Sequence, residues 1–266
     1  MTICLGVLCT DGKKVVVTAD RMLTGGDVEF EQDIRKIDLA TESCVMLSAG
    51  SALQHVELVR KVKDDVQAKR SPSIIDVVDK LKQKFVEIRR ERAEELYLKP
   101  IGMNFEQFYQ LQTQLPEPLM LRLTANIERE ELGLELLVAG VDNTGGHLYY
   151  IHDPGIADCF DAIGFCAIGS GERHAELTFI RSAYSPKVSL NRAVFLAYQA
   201  KRDSELAPGV GDRFTDMAVI DESGIHFVHE ETLEVLREAY KKLMSAHSIG
   251  HTEIEAEIDR LILKWS

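Results

Sequence analysis

The spacing of apolar positions divides the chain into blocks that alternate between a strand period and a helix period. Thr2–Cys9 is dense in β-branched and apolar residues and stops at Asp11-Gly12, a hairpin turn signal. Val15–Asp20 is the returning strand, Gly25-Gly26 marks another turn, and Val28–Ile37 and Cys44–Ala49 predict shorter strands. The period then changes. Leu53, Val56, Val59, Val62 and Val66 recur at three and four residues and predict a helix ending near Arg70. Ser71-Pro72 reads as a helix start, because Ser caps and Pro fits the first turn. A second helix is predicted from Ile74 to about Leu98, with Ile74, Val77, Val78, Leu81, Phe85 and Ile88 on one face.

Lys99–Leu132 is the least regular stretch, punctuated by Pro100, Gly102, Pro116 and Pro118. Phe105, Phe108, Tyr109 and Leu111 predict a short amphipathic helix within it, and so many large apolar residues want burial. A second β block follows: Leu134–Val141, a turn at Asp142–Gly146, His147–His152, a turn at Pro154-Gly155, then Ala157–Ile168 as a strand pair or one long bent strand. Gly169-Ser170-Gly171 opens a helix of about Glu172–Ala183, and Ser189–Arg202 predicts another. Thr215–Asp221 and Ile225–Val228 form a last hairpin about Glu222-Ser223-Gly224. Two closing helices are predicted, about Glu231–Ser245 and Glu253–Lys264, with a break near Gly250.

Hairpins dominate the strands, which disfavours a doubly wound parallel sheet. The predicted class is α+β: two antiparallel sheets packed face to face between helical layers, a four-layer αββα sandwich. The chain is read as a single domain over 1–266, with 99–132 an insertion on the helical layer and 231–266 a C-terminal helical extension.

Composition narrows the function classes. The chain of 266 residues carries 31 Lys+Arg against 43 Asp+Glu, a net charge of −12 that argues against nucleic acid as a partner. The basic stretches Lys61–Arg70 and Arg89–Arg92 are diluted by acidic residues and read as solvated helix faces. No window approaches the ~18 apolar residues of a membrane-spanning helix, so no membrane partner is expected. The five cysteines, Cys4, Cys9, Cys44, Cys159 and Cys166, lack CxxC spacing and read as reduced thiols of a cytoplasmic protein. His147 and His152 share no face, nor do His226 and His229, while His247 and His251 straddle Gly250; no metal site is expected. Trp265 reads as packing or terminal.

The chemistry-bearing candidates begin at the second residue. If Met1 is removed, Thr2 carries a hydroxyl and a free α-amine together. A Thr hydroxyl needs an adjacent base, and an α-amine of pKa about 7.7–8.0 can be that base. The absence of a signal peptide is then read as a requirement, because the residue after Met1 has to be the new N-terminus. Asp20 ends the strand that folds back beside the first, and Lys36 follows. A lysine cation near the amine would keep it unprotonated while the carboxylate holds the lysine; a plain salt bridge at a sheet edge is the other reading. Ala49-Gly50-Ser51 joins a strand to a helix N-terminus, where unpaired N–H groups can stabilise an oxyanion or simply close a tight turn. Gly169-Ser170-Gly171 lacks the third glycine and the GK[ST] ending of a phosphate-binding loop.

With these residues in view, the chain resembles the proteasome β-subunit family of N-terminal-nucleophile hydrolases. The resemblance is carried by Thr2-Ile3-Cys4-Leu5-Gly6, Asp11-Gly12, Thr18-Ala19-Asp20-Arg21, Lys36 and Ala49-Gly50. It continues through Leu137–Asp142, Gly146–Tyr149, Ala167–Gly171, Lys201-Arg202-Asp203 and Asp216–Ile220. It implies Thr2 as nucleophile, Asp20 and Lys36 as its acid and lysine partners, and Gly50 as the oxyanion donor. Ser170 and Asp203 resemble the pair that tethers the amine and orders a water. Leu23, Ile34, Ser48 and Ala52 fall where the family lines its substrate pocket.

Three features depart from the family pattern. The first hairpin is two residues longer, Val210-Gly211-Asp212 stands where a second serine is usual (with Ser204 a neighbouring substitute), and the insertion and tail are extra. The resemblance implies a threonine-type peptidase or amidohydrolase of peptide or protein substrates, working without a cofactor and as a homo-oligomer, possibly a ring. A non-catalytic assembly subunit, or a small-amide hydrolase or transpeptidase, is the alternative.

Overall fold

The computed structural model describes residues 2–25, 28–67 and 73–262. Met1, Gly26, Arg70, Ser71, Pro72, Lys264 and Trp265, which entered the reading above, lie outside the described residues. The chain divides into two compact units, Met1–His226 and Phe227–Ser266.

The first unit is built on two five-stranded sheets. Strands β1 (Cys4–Cys9) and β2 (Lys14–Ala19) form the opening hairpin, with Cys4 opposite Ala19 and Cys9 opposite Lys14. Their apolar side chains are buried on both faces, which is why this segment reads as a near-continuous apolar run. Around them lie β10 (Phe165–Ile168), β11 (Asp216–Asp221) and β12 (Gly224–Phe227), in the order β10-β1-β2-β11-β12. The second sheet runs β5-β6-β7-β8-β9, from β5 (Ile37–Leu39), β6 (Cys44–Gly50), β7 (Leu134–Asp142), β8 (Gly145–His152) and β9 (Ile156–Cys159). A separate two-stranded ribbon joins β3 (Met22–Gly25) to β4 (Val28–Glu31). Every pairing given by register is antiparallel.

The sheets face each other through β1 and β2 against β7 and β8. Helices α1 (Ala52–Gln67) and α2 (Ile74–Ala93) lie against one another, and α2 covers β7 and β8. On the opposite side α5 (Glu172–Arg181) and α6 (Leu190–Ser204) cover β10, β1 and β2. This is the expected αββα sandwich.

The α2 face behaves as its period predicts: Ile74, Val77, Val78, Leu81, Phe85 and Ile88 are all buried with Met46, Leu136 and Val138 of the sheet beneath. Its cap, however, is Ser73. The Ser73 hydroxyl accepts from Asp76 N–H and the Asp76 carboxylate accepts from Ser73 N–H at 3.0 Å, a reciprocal box that fixes the start. Val56 also differs from expectation. It is 65% exposed, because Leu58, Val59 and Val62 carry the buried face of α1.

Other boundaries shift for local reasons. Val28–Ile37 is not one strand but β4 and β5, which belong to different sheets. Ala157–Ile168 likewise splits into β9 and β10, one in each sheet. The predicted second helix continues beyond α2 as a π turn over Glu94–Leu98 and a 3-10 turn over Lys99–Ile101 that ends at Gly102 in the left-handed region, φ +76°.

Within 99–132 the predicted short helix is α3 (Phe105–Leu111), capped reciprocally by Asn104 and Gln107. A further helix, α4 (Glu117–Glu128), was not expected, because Pro116 and Pro118 read as punctuation; they sit at its first turn, where proline is compatible with a helix. Phe105, Phe108 and Leu123 join Ala93 and Leu98 in a small core of their own.

In the second unit, one helix, α7 (Glu230–Ile262), replaces the two predicted closing helices. It passes through Gly250. A glycine costs a helix interior only ~1 kcal/mol relative to alanine, too little to break a 33-residue helix.

The burial contrast is testable by urea denaturation. Phe85→Ala should cost about 3–5 kcal/mol by opening a cavity between α2 and the sheet, while Val56→Ala should stay within about 0.5 kcal/mol.

Candidate active site

Strand register brings the start of β1, the end of β2 and the turn after β10 together. Asp20 follows β2, and its N–H donates to Ile3 O at 3.1 Å, which fixes the carboxylate beside Thr2. Thr2 Oγ1 donates to Asp20 Oδ1. Lys36 Nζ donates to Thr2 Oγ1 and, at 2.7 Å, to the same Asp20 oxygen. The other oxygen, Oδ2, accepts from Gly211 N–H at 2.8 Å. Thr2, Asp20 and Lys36 are 3%, 0% and 9% exposed. A hydroxyl, a carboxylate and an ammonium therefore share one water-poor site, where their electrostatic coupling is stronger than at a surface.

The backbone of Thr2 is held by the turn after β10. Thr2 N–H donates to Ser170 Oγ at 3.3 Å, and Gly171 N–H donates to Thr2 O at 3.3 Å. The single proton of Ser170 Oγ can serve Thr2 O at 3.4 Å or Pro208 O at 3.3 Å. Gly169 has φ +91°, and a β-carbon there would come within 2.5 Å of Thr2 O. Only glycine fits this approach without strain. Cys4, two residues from Thr2, stays a protonated, unreactive thiol. Burial pushes its thiol up to about 12, Lys36 opposing only in part, and its Sγ donates to Ser48 O at 3.4 Å.

The remaining expected residues spread around this centre. Gly50 ends β6 exposed, with φ +95°, at the strand–helix junction. The neighbouring Ser51 N–H is bonded to Gly133 O at 2.9 Å, so it is not an oxyanion donor. Asp203 lies on α6, where its Oδ2 accepts from Thr178 Oγ1 at 2.6 Å and Gln199 Nε2 at 3.4 Å, tying α6 to α5. Ser204, the substitute considered for the missing serine, is fully buried and donates to Ala200 O at 2.6 Å. A helix back-bond occupies its proton. Of the pocket candidates, Leu23 on β3 and Ser48 on β6 are half-buried and Ile34 is exposed; Ala52 opens α1, but its side chain is outside the described ones.

Several contributors were not picked out from the sequence. Gly211 stands in the very segment read as a lost serine, yet it supplies the N–H that satisfies Asp20 Oδ2. Arg21, part of the Thr18–Arg21 landmark, pairs with Asp216 through Nε at 2.9 Å and Nη2 at 2.8 Å, and its guanidinium lies over the Phe214 ring. Lys201 opens the Lys201-Arg202-Asp203 landmark and is fully buried, with Nζ 2.6 Å from Glu205 Oε1. Burial pushes this ammonium down, opposed by Glu205 and by Asp20.

A proteasome-subunit family model matches residues 115–206. The chain is 26% identical over 214 residues to the proteasome subunit beta of Ferroglobus placidus, covering 79% of this chain and 83% of that protein. It is 31% identical over 113 residues to proteasome subunit beta 1 of Korarchaeum cryptofilum, 40% of this chain and 50% of that protein. The chain is similar to proteasome β subunits over these segments. Its identity to these relatives is low, and the segment matched in the Korarchaeum protein spans half of that protein's length. Among the described residues no cluster of His, Cys, Asp and Glu is placed to hold a metal ion, and no helix is long and apolar enough to cross a membrane.

The close fit at Gly169 yields a prediction. Gly169→Ala should cost about 1–3 kcal/mol and displace Thr2, read as a lowered denaturation midpoint together with altered amide shifts at Thr2 and Ile3.

Proposed function

We propose that the protein is a threonine-type peptidase in which Thr2, freed by removal of Met1, is the nucleophile. The observation that carries this reading is the buried contact of the Thr2 hydroxyl with both Asp20 and Lys36. A sheet-edge salt bridge needs no hydroxyl between its charges, and a scaffold has no use for the arrangement.

With Met1 present the Thr2 nitrogen is an amide and cannot act as a base; once it is an amine, Ser170 Oγ, already within 3.3 Å, holds it beside the hydroxyl. The amine takes the Oγ1 proton as Oγ1 attacks the scissile carbonyl carbon, and the carbonyl electrons move onto oxygen. Lys36, held by Asp20, favours both the neutral amine and the developing alkoxide, while the Gly50 N–H receives the oxyanion. Collapse breaks the C–N bond, and the leaving amine takes the proton from the Thr2 ammonium. A water then gives its proton to the same amine and attacks the ester, releasing the acid and restoring the Thr2 hydroxyl. An amine in place of water would give transpeptidation.

The substrates on this reading are peptides or proteins, and the protein acts in the cytoplasm as a homo-oligomer. The similarity to proteasome β subunits and the exposed apolar residues Phe30 and Ile34, on the segment that leads to Lys36, support accessible peptide binding there.

The test is intact mass after incubation of protein beginning at Thr2 with a β-lactone acylating probe. One adduct is expected on the wild type and none on Thr2→Ala. Lys36→Ala should slow acylation by at least about a thousandfold. An adduct that survives Thr2→Ala would sink the reading. Recovery of the native protein with Met1 intact would favour the assembly-subunit alternative.

A further inference from the structure

The turn that grips Thr2 is itself gripped from the second sheet. Glu135 on β7 lies directly opposite Ala49 on β6, at the end of the strand pair nearest the nucleophile. Its Oε2 accepts from Gly169 N–H at 2.9 Å and its Oε1 from Tyr150 OH at 2.9 Å. Gly169 is the residue packed against the Thr2 carbonyl, and Ser170 and Gly171 make the bonds to Thr2. A single carboxylate thus joins β7 and β8 of one sheet to the turn that closes over β1 of the other. This charge lies in the same field as the nucleophile's partners. Cys4 feels Lys36, Asp20 and Glu135 together.

We propose that Glu135 is a positioning residue of this site, clamping the Gly169–Gly171 turn onto Thr2 and setting a negative charge, opposed to that of Lys36, against the turn that holds the Thr2 nitrogen. The proposal rests on the Thr2 reading above. The titratable groups coupled to Asp20, Lys36 or Glu135 are Cys4 from β1, Tyr150 from β8, Glu172 from α5 and Lys201 from α6, the last paired with Glu205 just after that helix. Lys36 and Lys201 favour the neutral amine; Asp20 and Glu135 favour the ammonium. Burial and, after it, Glu135 push the Glu172 carboxyl up. Tyr150 stays neutral, its phenol pushed up by burial and by Glu135, and so remains a donor to Glu135.

The sign follows directly. Acylation needs the neutral amine, so its rate rises with pH through the amine's titration. Removing the Glu135 charge makes the ammonium easier to deprotonate and moves that acid limb to lower pH.

The experiment measures β-lactone acylation rate against pH for protein beginning at Thr2, as wild type, Glu135→Gln and Glu135→Asp. The Gln variant should shift the acid limb down by about one pH unit, while the Asp variant, which keeps the charge, should restore the wild-type limb at a lower plateau. Superimposable limbs for wild type and Glu135→Gln would overturn the proposal while leaving Thr2 catalysis standing. A wild type that is never acylated would instead overturn the Thr2 reading. Amide hydrogen exchange on the wild type tests the clamp without any variant. Gly169 N–H should be protected like the neighbouring strand amides, and exchange at the rate of an open loop would overturn the clamp whether or not Glu135→Gln folds.

Discussion

The Asp20 carboxylate is the constraint on which the site depends. It is fully buried, and an isolated buried carboxylate is so costly that it takes up a proton or is paired. Here one oxygen takes the Thr2 hydroxyl and the Lys36 ammonium, and the other takes the Gly211 N–H. Each partner comes from a different part of the chain. The start of β1, the segment between β4 and β5, and the loop after α6 must all be in place before the charge is satisfied. Breaking such a buried pair by deleting one side typically costs about 3–5 kcal/mol, because the remaining charge is left uncompensated. The carboxylate therefore ties the geometry of the Thr2 hydroxyl to the completion of the fold.

The sandwich explains why these parts meet. Antiparallel pairing of β1 with β2 and β10 puts the beginning of β1 beside the ends of both neighbours, and the β6–β7 ladder ends nearby with Gly50 opposite Leu134. Strand ends leave backbone groups without ladder partners, and this edge uses them. Thr2 O takes Gly171 N–H, Asp20 N–H goes to Ile3 O, and Gly169 N–H reaches Glu135 across the sheet interface. The interior between the sheets is apolar and close-packed, so the edge is where a polar constellation can be both rigid and reachable. The candidate site sits at the boundary of the core for that reason.

Much of this was legible in the residues. The hairpin Thr2–Asp20, the α2 face from Ile74 to Ile88, and the alternation of β and helical blocks all follow from local periodicity. Thr2, Asp20 and Lys36 could be singled out by their chemistry taken together, whereas Ser170 was picked out only through the family resemblance. What escaped was information that lies in the backbone or in distant pairing. Gly211 acts through an N–H that every non-proline residue has, so its identity carried no signal. Glu135 is one acidic residue inside the predicted Leu134–Val141 strand, and only the cross-sheet contact with Gly169 gives it a part. Val56 fits a helical period as well as Val59 does, but α1 rotates its buried face toward Leu58 and Val62. Gly250 looked like a break because propensity is local, whereas the long helix around it decides.

The central claim is that Thr2 Oγ1 is the reacting atom and that Asp20 and Lys36 hold it ready. A crystal structure of protein beginning at Thr2, after reaction with a β-lactone, tests it most directly. The account predicts an ester on Thr2 Oγ1, with Lys36 still bonded to Asp20 and the Thr2 amine beside Ser170. An ester on any other side chain, or Lys36 swung away from Asp20 in the acylated protein, would contradict it.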